Sequence, residues 1–215
     1  MSQIDRTSIA KQVASHLLSI GAVHLRPDQP FTWTSGIKSP IYCDNRITMS
    51  HPAIRSQIAD AFVATIRERF PDAEVIAGTA TAGIPHAAWI ADKMNLPMIY
   101  VRDKAKGHGR QNQIEGSLIK GQKVVVIEDL ISTGGSSLKA AQAVQAEGGE
   151  VLGVIAIFSY QFPDAESLFT EANMPFATLS NYTELLTVAK EQGIITPEQE
   201  SVLVEWRKSP RTFFA

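Results

Sequence analysis

Residues 124 to 137 read VVVIEDLISTGGSS. The branched apolar residues at the start are the material of a buried strand, and two acids, Glu128 and Asp129, follow without a gap. Leu130 and Ile131 come next, then the small-residue run Ser132, Thr133, Gly134, Gly135 and Ser136. A glycine-rich turn leading from strand to helix lets backbone amides converge on an anion, and the helix N-terminus adds a partial positive charge. Carboxylates repel phosphate, so the acids must face something else. At a strand end they accept hydrogen bonds from vicinal hydroxyls, as the acidic residue of a dinucleotide site does with ribose. They also suit a divalent cation or a developing positive charge. A ligand carrying a phosphate and a nearby diol satisfies both halves of the stretch, and a ribose 5-phosphate is such a ligand. Two other nucleotide motifs do not fit. A Walker A loop needs a lysine after its last glycine, and GTATAG (78–83) lacks the middle glycine of a dinucleotide fingerprint.

A second cluster lies upstream. Arg102, Lys104, Lys106 and Arg110 put four fixed positive charges into residues 102 to 110, with His108 and two glycines among them. A flexible cationic loop beside a phosphate site suits a departing pyrophosphate. Other reactive side chains carry less. His16, His24, His51 and His86 do not form a metal-ligand spacing, and nothing near Cys43 marks it as a nucleophile. Trp33, Trp89 and Trp206 are core or interface material, and Trp33 alone adjoins a site motif.

These residues need a scaffold. Ile9, Val13, Leu17 and Ile20 recur at helical spacing. Residues 25 to 50, with three prolines and several aromatics, read as a short β hood with turns at Pro27–Pro30 and Ser35–Pro40. Ser50 before Pro52 marks a helix start, and that helix runs to about Phe70. Strands at 74–78, 97–101, 123–129 and 150–158 then alternate with helices at 84–94 and 137–148. Alternation with β-branched strands predicts an α/β fold, a mostly parallel sheet flanked by helices on both faces. The tail from Thr196 is a helix whose first turn holds Glu198 and Gln199. A single domain over residues 1–215, its hood formed mainly by about 20–48, is the economical division of the chain. In such a sheet ligands bind at the carboxyl ends of the strands, where strand order reverses.

Bulk properties are ordinary for a soluble globular protein. The 215 residues are 44% hydrophobic and 20% charged, and the net charge of −2 gives no reason to expect nucleic acid or a membrane surface as partner. One cysteine excludes an internal disulfide and fits a reducing compartment. The N-terminus lacks a signal peptide's unbroken apolar core, and no stretch approaches the ~18 apolar residues of a membrane span, so a cytoplasmic location is expected.

VVVIEDLISTGGSS resembles the phosphoribosyl pyrophosphate signature of the type I phosphoribosyltransferases, and GTATAGIPHA (78–87) resembles that fold's pyrophosphate loop. YVRDKAKGHGRQNQIEG (100–116) is similar to the mobile catalytic loop of one branch, the orotate phosphoribosyltransferases. FTWTSGIKSPIYCDN (31–45) is similar to that branch's hood over the base. The resemblance implies the type I phosphoribosyltransferase fold with its small hood, and transfer of a 5-phosphoribosyl group from phosphoribosyl pyrophosphate to orotate. It implies Mg²⁺ held mainly through substrate, and a homodimer whose loops close over each other's sites. Arg102, Lys106, His108 and Asp129 would then be catalytic, and the first three would bind the pyrophosphate. Glu128 and Asp129 would hold the ribose hydroxyls, and the segment Leu130, Ile131, Ser132, Thr133, Gly134, Gly135 and Ser136 the 5-phosphate. Ser132, Lys38 and Tyr42 would contact orotate. Some relatives carry a lysine shortly before the hood's Ser-Gly, whereas Thr34 directly precedes Ser35-Gly36 here. Some also carry an arginine after the strand at 150–158, whereas this chain has Tyr160. A purine phosphoribosyltransferase on the same fold would lack the R-x-x-x-K-x-H loop and long hood. A ligand-sensing transcriptional regulator would need a basic DNA-binding extension, and residues 1 to 24 hold only Arg6 and Lys11 as fixed cations.

Overall fold

A computed structural model describes residues 6–33, 35–103 and 113–214. Helix α1 (Arg6–Ser19) buries Ala10, Val13, Ala14 and Leu17, the one-face spacing of an amphipathic helix. The hood is two short antiparallel pairs. Strand β1 (Val23–Leu25) pairs with β4 (Ile41–Cys43), and β2 (Phe31–Thr32) with β3 (Lys38–Ser39). A 3-10 helix, Asn45–Ser50, leads out of it, opened by the Asp44 side chain accepting from the Arg46 amide. Helix α2 (Pro52–Arg69) starts after His51, because Ser50 is taken up in the 3-10 turn, and Pro52 fits the first helical position.

The main sheet has six strands. They are β5 (Val75–Thr79), β6 (Met98–Val101), β7 (Ile114–Glu115), β8 (Lys123–Ile131), β9 (Glu150–Ser159) and β10 (Phe176–Asn181), in the order β10-β9-β8-β5-β6-β7. Every pairing is parallel except that of β7 with β6. Strand β7 went unforeseen, since two residues are too few to leave a pattern. Helices α3 (Gly83–Met94), α4 (Gly135–Ala146), α5 (Pro163–Glu171), α6 (Tyr182–Glu191) and α7 (Pro197–Lys208) complete the chain.

Period-two geometry splits β8 between two cores. Val125 and Ile127 join the cluster containing Leu17, Phe62 and Ile90 from α1, α2 and α3. Val124 and Val126 join the one containing Leu138 and Val144 from α4 and Phe169 from α5. Burial on both faces is why β8 reads as an unbroken apolar run. Strand β8 also extends past the acids to Ile131, two residues beyond the expected end.

The C-terminal helix seats the hood. Its start is the one expected at Thr196, and it forms a capping box with Gln199 as the reciprocal partner. Trp206, fully buried, donates its indole Nε1–H to the Lys38 carbonyl at 3.1 Å, and its ring meets Trp33 edge-on at 5.9 Å. Trp33 in turn donates to the Ile41 carbonyl at 3.2 Å, and Gln199 Nε2 donates to Asp28 Oδ2 at 2.6 Å. Three hydrogen bonds and a ring pair thus brace the small hood, whose Val23 and Ile41 are buried in the main core, and two of those bonds reach it from the far end of the chain.

Candidate active site at the switch point of the sheet

The chain runs outward from β5 through β6 to β7, then returns to the other side of β5 as β8, β9 and β10. Strand order therefore reverses between β5 and β8, and a crevice opens at their carboxyl ends. The two acids stand at this point. Glu128 is buried, and its carboxylate accepts from the Asp129 amide at 3.0 Å and from the Ser136 hydroxyl at 3.4 Å. The Asp129 carbonyl accepts from Asn45 Nδ2 at 2.8 Å, so the 3-10 helix below the hood is bonded to the acid pair's own backbone. Burial first, then the neighbouring charge of Asp129, pushes the Glu128 carboxyl well up. Burial also lifts Asp129, opposed by hydrogen bonds from Glu128 and the backbone and by the charge of Arg46. Two such carboxyls side by side favour retention of a proton until hydroxyls or a cation arrive.

The turn after β8 has the shape of an anion cradle. Gly134 sits at φ +82°, where a Cβ would also press on the Phe169 ring at 2.8 Å, so glycine is required. The Leu138 amide donates back to the Gly134 carbonyl at 3.0 Å, and the amides before it at the start of α4 have no intrahelical acceptor by geometry. On the β5 side the turn at 80–82 leads into Gly83, whose Cβ would run into the Ile127 carbonyl. That close approach sets α3 against β8.

Cavities flank the cradle on two sides. One, of about 670 Å3, is lined by Thr79, Arg102, Gly135, Ser136 and Lys139 among others. The Thr79 hydroxyl is buried there without a hydrogen-bond partner among the described residues. Arg102 closes the neck of the cationic loop, its amide donating to the Gln113 carbonyl at 2.8 Å, with its guanidinium 3.4 Å from Glu115. Lys104, Lys106, His108 and Arg110 lie outside the described residues. The other cavity, of about 530 Å3, holds Ser132 and Thr133 opposite Trp33 and Ile37 of the hood. Lys38 does not line it. Lys38 faces a neighbouring cavity with Pro210, Arg211 and Phe214, and Tyr42 is 41% exposed with its ring 5.7 Å from Phe31. The structure thus gathers the acids, the cradle and Arg102 at the switch point, with Ser132 facing the hood.

Four residues escaped the sequence reading. Asn45 is the last residue of the hood motif and Arg46 directly follows it, and Arg46 is held by Asp44 in a two-point pair at 2.7 and 2.8 Å. Thr79 lies inside the GTATAGIPHA stretch, but nothing there singled out its hydroxyl, and Lys139 reads from sequence as one more surface lysine. The plainer readings of other residues agree with their surroundings. His86 is a core histidine between Phe62 and Trp89, with burial depressing its pKa to about 4, and burial raises the Cys43 thiol well above its usual range. Among the described residues no group of three or more His, Cys, Asp or Glu converges. Glu128 and Asp129 are the hard oxygen donors of this crevice, and a divalent ion here would complete its shell from ligand and water.

Residues 49–167 match the model of the phosphoribosyl transferase domain. An orotate phosphoribosyltransferase of Enterococcus faecalis is 58% identical over 207 residues, covering 96% of this chain and 99% of the relative. Among solved structures, orotate phosphoribosyltransferase from Aeropyrum pernix superposes with a TM-score of 0.74 at 28% identity, over 86% of this chain and 99% of that one. The Mycobacterium tuberculosis orotate phosphoribosyltransferase in complex with 5-phospho-α-D-ribosyl 1-diphosphate gives a TM-score of 0.62 at 26% identity, over 84% and 98%. Fold and site define a phosphoribosyltransferase of type I. The chain belongs to the orotate phosphoribosyltransferase family.

The buried acid pair should be visible in folding stability. Glu128 binds its proton more tightly folded than unfolded, so stability is lost as pH rises above the ordinary carboxylate range. Glu128→Gln removes that penalty. In urea unfolding of the ligand-free protein, its midpoint relative to wild type should climb steadily between about pH 5 and pH 8. A difference that stays flat over that range would mean that Glu128 is not held up by its surroundings.

Proposed function

We propose that this protein transfers the 5-phosphoribosyl group of 5-phospho-α-D-ribose 1-diphosphate to orotate, releasing diphosphate and orotidine 5′-monophosphate, a step of pyrimidine nucleotide synthesis. The acid pair and anion cradle in succession at the end of β8 carry the reading. The close relative named for this activity and the related structure holding the diphosphate substrate support it.

Displacement at an anomeric carbon passes through an oxocarbenium-like state and needs no protein nucleophile. Amides from Ser132 to Ser136 hold the 5-phosphate, with Leu130 and Ile131 carrying the backbone into the cradle. Glu128 and Asp129 accept from the ribose hydroxyls, and Asp129 also steadies the positive charge that develops on the ring. Arg102, Lys106 and His108 gather the diphosphate as it leaves, and the Thr79 hydroxyl lies on the same side. Ser132 serves the base from the cradle side, whereas Lys38 and Tyr42 lie away from the cavity it lines. Mg²⁺, when bound, would supply charge neutralisation while held mainly through substrate, and Glu128 and Asp129 are the protein groups that would help to hold it. The protein works in the cytoplasm as a homodimer with shared sites, and none of its described helices is long and apolar enough to cross a membrane.

Supplying the pure protein with Mg²⁺, the ribosyl diphosphate and, separately, orotate, uracil, adenine or hypoxanthine tests the activity. Turnover should appear with orotate and vanish on chelation without loss of the fold. Turnover with a purine base alone would reject the assignment.

The shared site is tested by mixing inactive chains. Lys106→Ala and Asp129→Asn should each be inactive alone. Free re-assortment makes half of the dimers mixed, each with one intact site of two, so roughly a quarter of wild-type activity should return. If tagged subunits exchange and no activity returns, the loop serves its own subunit.

A further inference from the structure

An anionic base needs a cation, and the cavity between cradle and hood shows where one comes from. This space of about 530 Å3 falls within the ~300–1,000 Å3 usual for small-molecule sites. Ser132 and Thr133 form its cradle side, and Trp33 and Phe162 give it aromatic walls suited to a flat ring. Tyr160 offers no charge. Its ring is buried between Trp33 at 5.4 Å and Phe162 at 5.3 Å. Lys38 opens onto the neighbouring cavity. Among the described residues the cations lining this one are Lys208 and Arg211, both from the C-terminal segment.

They differ in how free they are. Lys208 is committed to Glu205 at 2.6 Å, one helical turn away. Arg211 stands in a turn fixed by the Thr212 and Phe213 amides, which donate to the Ser209 carbonyl at 3.2 and 3.0 Å. Its partner is Asp164, at the long distance of 3.8 Å, with both side chains mostly exposed (73% and 68%). Such a pair contributes little and is readily exchanged. A guanidinium presents a planar fork that matches a carboxylate at two points.

We propose that Arg211 is a specificity-determining residue of the base site, leaving Asp164 to bind the carboxylate of orotate when the base enters. The proposal rests on the function given above. Asp164 keeps the guanidinium at the mouth of the empty cavity, and the incoming carboxylate replaces it. The Trp206 anchor to Lys38 holds the tail at a fixed distance from the hood, so Arg211 needs only a side-chain movement.

Arg211→Gln should raise KM for orotate about ten- to a hundredfold, the scale of a lost charge-assisted hydrogen bond, and leave KM for the ribosyl diphosphate unchanged. Arg211→Lys should recover part of the loss, and Asp164→Asn, which removes the competitor, should lower KM for orotate. Calorimetry separates recognition from packing, because orotidine 5′-monophosphate carries the carboxylate and uridine 5′-monophosphate does not. The Gln variant should lose most of the preference for the former while binding the latter as wild type does. An unchanged preference, or an equal loss for both nucleotides, would overturn the role of Arg211. No orotate turnover by the wild-type protein would instead bring down the functional reading itself.

Discussion

Glu128 and Asp129 stand side by side at the end of a strand buried on both faces, where burial lifts both carboxyls above their ordinary range. Much of the surrounding structure holds them there. Strand β8 must run between two apolar cores to reach the switch point, and its register with β5 and β9 aims its carboxyl end at the crevice. The Ser136 hydroxyl, from the first turn of α4, ties the Glu128 carboxylate to the anion cradle. Asn45 grips the Asp129 carbonyl from the hood side. An arrangement that costs the empty protein stability is one that a polyol, a cation or a developing positive charge can relieve.

The hood and the C-terminus form a second, dependent layer. Strands of two and three residues cannot hold a shape alone. Here the indole N–H of Trp206 meets a β3 carbonyl and Gln199 bonds to Asp28 in the turn between β1 and β2. The tail beyond α7 then crosses the mouth of the base-side cavity with Arg211. The cavity between cradle and hood thus draws its lining from the hood and the C-terminal segment, while the acid pair and cradle lie in the middle of the chain.

This division explains what could be read in advance. Strands β5, β6, β8 and β9 and helices α1 to α4 and α7 were legible because each buries a face whose period is written in apolar residues. The acid pair and the cradle were legible because they are contiguous, so one stretch of sequence displays them whole. Asn45, Thr79 and Arg211 were not. Each is one side chain brought to the crevice by tertiary packing, and although Asn45 and Thr79 lie inside the hood and pyrophosphate-loop stretches, nothing local singles out the individual side chain. Strand β10 and helix α6 pack on α1 through Ser180 bonded to the Ala10 carbonyl, a link spanning 170 residues that no local window displays. The start of α2 moved from Ser50 to His51 because the 3-10 turn claimed the serine.

The central claim is that the acid pair acts on the charge that develops at the sugar rather than merely shaping a turn. It is tested by comparing Asp129→Asn with wild type in two measurements, kcat with saturating substrates and calorimetric binding of ribose 5-phosphate. The account predicts that kcat falls by about a hundredfold or more, in line with other losses of charge stabilisation, while binding shifts far less. A wild-type kcat in that variant would contradict it.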